Sequence, residues 1–149
     1  MSKQFDKYQT IGPDYHYRQI DRRSLKSYSA PVDARFRKLV ENVKSEAGER
    51  KLKLLDVGCG DGVALYLISK SLPKLELYGI DPAAEALSEA RKKMPGAKLF
   101  TAIADALPFE KDFFDIIISS DVIEHVDDAS RMLAEIKRVT KDGATIIIG

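Results

Sequence analysis

The chain has 149 residues, enough for one ordinary core, and its 44% apolar and 32% charged content is that of a soluble globular domain, not of a disordered or fibrous chain. Lys and Arg number 24 against 23 Asp and Glu, so the formal net charge is only +1 and no whole-molecule field draws the chain to nucleic acid or to an anionic membrane. A single cysteine, Cys59, excludes an intramolecular disulfide; no apolar stretch after Met1 reads as a signal peptide, and none approaches the roughly 20 residues of a membrane span, so the expected location is cytoplasmic.

Residues 1–50 form an arm and a helix that precede the rest of the domain, residues 51–149. The arm is polar and basic, with Tyr8, Tyr15, Tyr17 and Tyr28 around a lone His16. It reads either as a lid over a ligand or as a poorly ordered terminus. Arg18, Arg22, Arg23 and Lys26 among those tyrosines could stack on and neutralise an RNA strand, although a solvated arm or a lid is the preferred reading. Pro31 to Glu46, starting near Ser29, is predicted as an amphipathic helix packed on a sheet, with Val32, Phe36, Leu39, Val40 and Val43 on one stripe.

From Leu52 onward, short runs of Leu, Ile and Val alternate with stretches of helical period, the pattern of a parallel sheet covered by helices. Five strands are predicted: Leu52 to Val57, Glu76 to Ile80, Ala97 to Ile103, Phe114 to Ser119 and Ala144 to Ile148. Val63 to Ser71 is a helix ended by Pro73, and Pro82 to Met94 is a second, with Pro82 at its first position. A third runs from Ala129 to Lys141, where Met132, Leu133, Ile136 and Val139 repeat at helical spacing and Gly143 supplies a stop. The fold class is therefore α/β, a doubly wound parallel sheet with flanking helices.

The first strand runs into Gly58-x-Gly60-x-Gly62 and then into a helix, the context in which a glycine loop admits a nucleotide-like ligand. Glycine permits positive φ and close approach of the backbone, and N–H groups at a helix start accept negative charge. A dinucleotide fingerprint, G-x-G-x-x-G, would need glycine where Val63 stands, so the spacing favours a different ligand. At the end of the second strand, Asp81 is placed to accept hydrogen bonds from both hydroxyls of a ribose. Its alternative role is to cap the helix that follows.

Leu54 to Gly62, Gly79-Ile80-Asp81, Ala104 to Phe109 and Phe114 to Asp128 together resemble the class I S-adenosylmethionine-dependent methyltransferases, over residues 52–149. The resemblance implies a Rossmann-like sheet and S-adenosyl-L-methionine as methyl donor. It places Asp56 and the Gly58, Cys59, Gly60 and Gly62 loop along the methionine moiety, Asp81 with Pro82 at the ribose, Asp105 with the Ala106 N–H at the adenine, and Ser120 beside them. Cys59 is simply a small residue of the loop, without a catalytic role.

The same resemblance makes the segment after the fourth strand, Ser119 to Asp128, the wall that faces the sulfonium and the acceptor. Methyl transfer from an activated sulfonium gains most from alignment and exclusion of water, and a base helps only an acceptor that must lose a proton. His125 is the candidate base, with Glu124 or Asp121 to orient it; its alternative is a packed histidine at a turn. Asp121-x-x-Glu124-His125 also resembles a divalent-metal triad of some O-methyltransferases, but aspartate is one methylene short and no metal is assigned. In that family the sheet continues with an antiparallel hairpin, whereas this sequence ends at Gly149, so a truncated chain or a dimer paired through an exposed edge strand is expected. The expected function is a methyltransferase acting on a small-molecule acceptor. A non-catalytic module that binds S-adenosylmethionine or its product is one alternative, and an RNA methyltransferase is another.

Overall fold

The computed structural model describes residues 30–149. Five strands, β1 (Lys53–Val57), β2 (Glu76–Asp81), β3 (Lys98–Thr101), β4 (Phe114–Ser119) and β5 (Thr140–Ile148), form one sheet in the order β3-β2-β1-β4-β5. All four pairings are parallel. The helices are α1 (Ala30–Ala47), α2 (Val63–Ser71), α3 (Ala84–Lys93) and α4 (Ala129–Val139), with one 3-10 turn over Ile123–His125. None of the helices in the described residues is long and apolar enough to cross a membrane.

The continuous apolar runs of β1, β2 and β4 are explained by burial on both faces, whereas β5 at the sheet edge leaves Ile146 and Ile148 exposed. Leu54, Leu77, Leu99, Ile116 and Ile118 point to one face, where Leu39, Val43 and Ala47 of α1, Leu65 and Ile68 of α2, and Leu87 and Ala90 of α3 cover them. Leu55, Val57, Tyr78, Ile80, Phe114 and Ile117 point to the other, where Met132, Ile136 and Val139 of α4 pack with Leu107. The period-two alternation of the strands and the helical period of their partners thus meet in two cores. The strand order turns back between β1 and β4, so the loops after β1 and β4 part there and leave a crevice at the carboxyl ends of the strands. The arm residues, including His16, the four tyrosines and the basic side chains among them, lie outside the described residues.

Element types agree with the sequence reading, and several boundaries move; β3 ends at Thr101, not Ile103, and the other ends that shift by two residues or more lie in the last two helices and β5. The second helix of the sheet region begins at Ala84, not Pro82, because the Asp81 carboxylate accepts the Ala83 N–H at 2.8 Å and holds a turn before the helix can start. The last helix ends at Val139, not Lys141, and β5 begins at Thr140, not Ala144: Thr140 pairs with Phe114, and the ladder is interrupted before it resumes at Thr145. Gly143, expected as a helix stop, lies within β5 at φ 74°.

Gly79 lies opposite Asp56 in the β1–β2 ladder, and a Cβ there would meet Cys59 Sγ at 2.8 Å, Leu99 Cδ2 at 2.8 Å and Leu65 Cδ1 at 3.0 Å. Gly79→Ala is expected to overpack this junction of sheet, α2 and glycine loop, lowering stability by about 1–3 kcal/mol. A urea melt with an unchanged midpoint would show that the neighbours can yield.

Candidate functional site

A cavity of about 740 Å³ opens at the carboxyl ends of β1, β2 and β4. Its floor is the glycine loop, and the three glycines have different reasons for being glycine. A Cβ on Gly58 would lie 2.3 Å from Val122 Cγ2, and one on Gly62 would lie 2.4 Å from Met94 Cε and 3.0 Å from Ala90 Cβ, so these two permit close packing of the β4 wall and of α3. A Cβ on Gly60 meets nothing within 4 Å, although its φ is 52°. Gly60 is thus the position where backbone faces open space. No side chain caps α2, whose N-cap is Gly62.

Two buried carboxylates stand at adjacent strand ends, Asp56 on β1 and Asp81 on β2, each 4% exposed and both lining the cavity. Asp81 ties the loops together: one oxygen accepts the Gly60 N–H at 2.9 Å and the other the Ala83 N–H at 2.8 Å. A carboxylate has about four lone-pair sites, so both oxygens retain capacity for a ligand. Burial, reinforced by the Asp81 charge, pushes the Asp56 carboxyl up to about 7. Burial, then the Asp56 and Asp81 charges, push the Cys59 thiol well above its usual range, which suits a packed thiol and not a nucleophile. The Gly58 and Cys59 N–H groups both bond the Ile80 carbonyl, at 2.8 and 2.9 Å, locking the loop to β2.

Asp56, Gly58, Cys59, Gly60, Asp81, Pro82, Ser120 and His125 line the cavity together, whereas Gly62, Asp105, Ala106 and Glu124 do not. Glu124 is exposed, while His125 is half-buried, with its backbone N–H bonded to the Val122 carbonyl at 2.9 Å. Asp105 follows β3, and its Oδ1 is buried with no hydrogen-bond partner, a polar atom that calls for a donor. The Ala106 N–H already donates to the Ile103 carbonyl at 3.2 Å. Among the described residues no three His, Cys, Asp or Glu side chains are placed to hold a metal ion.

Asp121, at φ 55°, gives its carboxylate instead to Arg35 of α1, whose Nη1 donates to Oδ1 at 2.9 Å and Oδ2 at 2.6 Å. Arg35, Phe36, Lys38, Leu39 and Asn42 bring α1 onto the cavity wall. The apolar stripe of α1 was visible in the sequence, but no motif marked its polar flank as part of the site.

The family model described as a methyltransferase domain matches residues 55–148. The ubiquinone/menaquinone biosynthesis C-methyltransferase UbiE of Campylobacter jejuni is 31% identical over 127 residues, covering 82% of this chain and 54% of the relative. The ubiquinone biosynthesis O-methyltransferase of Rhodopseudomonas palustris is 31% identical over 123 residues, covering 78% of this chain and 46% of the relative. A solved S-adenosylmethionine-dependent methyltransferase from Aquifex aeolicus superposes with a TM-score of 0.64 at 25% identity, covering 77% of this chain and 70% of that one. The chain spans about half the length of the curated relatives it matches.

Proposed function

The chain belongs to the S-adenosylmethionine-dependent methyltransferases, and from that premise we propose that its cavity holds S-adenosyl-L-methionine and serves methyl transfer to a small-molecule acceptor. The observation that carries this reading is the pair of buried carboxylates, Asp56 and Asp81, on neighbouring strand ends around one cavity. Two such groups without a cation between them repel, and the donor offers a cationic amino-acid end and a ribose diol. The residues fit it in one further way: Gly60 leaves open space where a side chain would stand.

When bound, the cofactor supplies a methyl group already activated on a sulfonium. This chain's residues then bind, orient and exclude water. Asp81 accepts from the ribose hydroxyls while holding Gly60, and Asp56 balances the ammonium. Val122 and Val126 of the post-β4 wall and Phe36 and Leu39 of α1 supply apolar cover, which favours positioning over proton transfer. His125, which also lines the cavity, is the candidate to take a proton from an acceptor that must lose one. A small acceptor is supported by relatives whose printed activities are C- and O-methylation in quinone biosynthesis, and by the balanced charge, which offers a polyanion no general attraction.

Calorimetry with S-adenosylhomocysteine and with NAD tests the reading. Binding of the first and not the second is expected, and tight NAD binding alone would sink it. Release of S-adenosylhomocysteine in a screen of quinone-like and other phenolic acceptors then separates an enzyme from a binding module, and turnover only with RNA would overturn the small-molecule assignment.

A further inference from the structure

One wall of the cavity is built by α1 and the segment after β4. Phe36 and Leu39 of α1 and Val126 of that segment make it apolar. Three polar side chains of α1, Arg35, Lys38 and Asn42, also line the cavity, and their spacing of three and then four residues puts them on one stripe of the helix. The stripe is held in place by its neighbours: Leu39, Val43 and Ala47 are buried in the first core, and at the far end of the helix Glu46 Oε2 accepts the Thr145 hydroxyl of β5 at 3.0 Å.

Most charges around the cavity are already committed. Arg35 gives Nη1 to both oxygens of Asp121, at 2.9 and 2.6 Å. Asp61 of the glycine loop takes the Lys93 ammonium at 2.5 Å. Asp81 holds two backbone N–H groups, with Asp56 on the adjoining strand. Lys38 is the remaining cation of the lining. Among the described residues its ammonium makes no hydrogen bond or ion pair, not even with Glu41 three residues on, and the side-chain amide of Asn42 likewise has no partner. An ammonium beside apolar side chains attracts a negative charge more strongly than it does in open water, because less solvent lies between them. The Asn42 amide one turn on, with Cβ atoms roughly 5–6 Å apart at that spacing, adds a neutral donor. Together the two can serve the two oxygens of one carboxylate. A phosphate, at about two negative charges, calls for more cationic donors than this wall holds.

We propose that Lys38 and Asn42 are specificity-determining residues that bind a carboxylate of the methyl acceptor, so that this chain takes aromatic or aliphatic acids with an apolar body. The inference rests on the reading that the cavity is a methyltransferase site, and it narrows the acceptor from small molecules at large to monoanions. The apolar body of the acceptor lies against Phe36, Leu39 and Val126, and its carboxylate meets Lys38 and Asn42. Arg35 does not compete for that carboxylate, because leaving Asp121 would strand a charge that it now holds by both oxygens.

The test is calorimetry on the full chain saturated with S-adenosylhomocysteine, using two matched pairs of probes: 3,4-dihydroxybenzoate with 3,4-dihydroxybenzamide, and octanoate with octanamide. Each amide has the shape of its acid without the charge. Wild type is expected to prefer at least one acid over its amide by about 10-fold, the effect of one hydrogen bond to a charged group, and added salt should shrink that preference. Lys38→Gln should bring the ratio to within about 2-fold, Lys38→Glu should invert it, Lys38→Arg should keep it, and Asn42→Ala should lower it by about 3-fold. Lys38 is exposed, so its substitutions leave the fold standing. A loaded protein that binds neither acid, that binds acid and amide alike, or whose preference survives Lys38→Gln would overturn the proposal and leave the cofactor reading in place. Failure of wild type to bind S-adenosylhomocysteine would instead overturn the reading of the cavity, and this proposal with it.

Discussion

At pH 8 the Asp56→Asn variant is expected to be more stable than wild type by up to about 4 kcal/mol, and at pH 4 the two are expected to converge. In the folded protein the Asp56 carboxyl titrates at about 7, raised first by burial and then by the Asp81 charge, whereas in the unfolded chain it returns to the ordinary value of 3.8. Between those values the folded state keeps a proton that the unfolded state has released. Its contribution therefore falls as pH rises through that window and stays lost above about 7. Asparagine is close in shape to the protonated acid and carries no charge, so it removes the penalty without opening a cavity. The same substitution is expected to harm binding. A cation placed against Asp56 favours the ionised form, so the affinity of wild type for S-adenosylhomocysteine should rise with pH through about 7 as a proton is released. In Asp56→Asn that slope should vanish and the affinity fall by about 10-fold or more, the loss of one charge-assisted contact. Denaturant melts and calorimetry at several pH values would check both arms, and parallel pH profiles for the two proteins would refute the assignment.

That trade of stability for binding was legible in the sequence only in part. Leu54-Leu55 and Ile116 to Ile118 announced strands buried on two faces, and the glycine loop announced a ligand near the end of β1. The division of labour among the glycines could not be read locally, because Gly58 answers to Val122 and Gly62 to Met94 and Ala90, all distant in sequence. The start of α3 was displaced by a side chain competing for backbone N–H groups, which propensity places wrongly by two residues. The boundary between α4 and β5 depends on Phe114 of another strand. The Arg35–Asp121 pair, 86 residues apart, and the bonds from α4 to the Asp105 loop have no periodic or motif signature at all. Periodicity recovers which residues are core, while the side chains that fasten one loop to another emerge only when the chain is folded.

Asp81→Asn is expected to lower affinity for S-adenosylhomocysteine by about 100-fold or more while leaving the fold intact. The carboxylate accepts one backbone N–H on each oxygen, from Gly60 and from Ala83. An amide has a single oxygen, so its NH₂ must oppose one of those donors, and a buried unsatisfied donor costs about 1–3 kcal/mol. Part of that cost is offset because the substitution also removes the charge that opposes ionisation of Asp56. Binding has no comparable compensation. The ribose hydroxyls lose an ionised acceptor, a contact roughly twice as strong as a neutral one, and Gly60, the glycine that faces open space, loses its anchor. The two carboxylates are also coupled in a way that a second readout can detect. With Asp81 neutral, the pH midpoint of binding set by Asp56 should move down from about 7, yet stay above the ordinary carboxylate range because burial is the larger cause. Affinity within a few-fold of wild type, with an unmoved midpoint, would leave Asp81 as a tie between loops and take it out of ligand recognition.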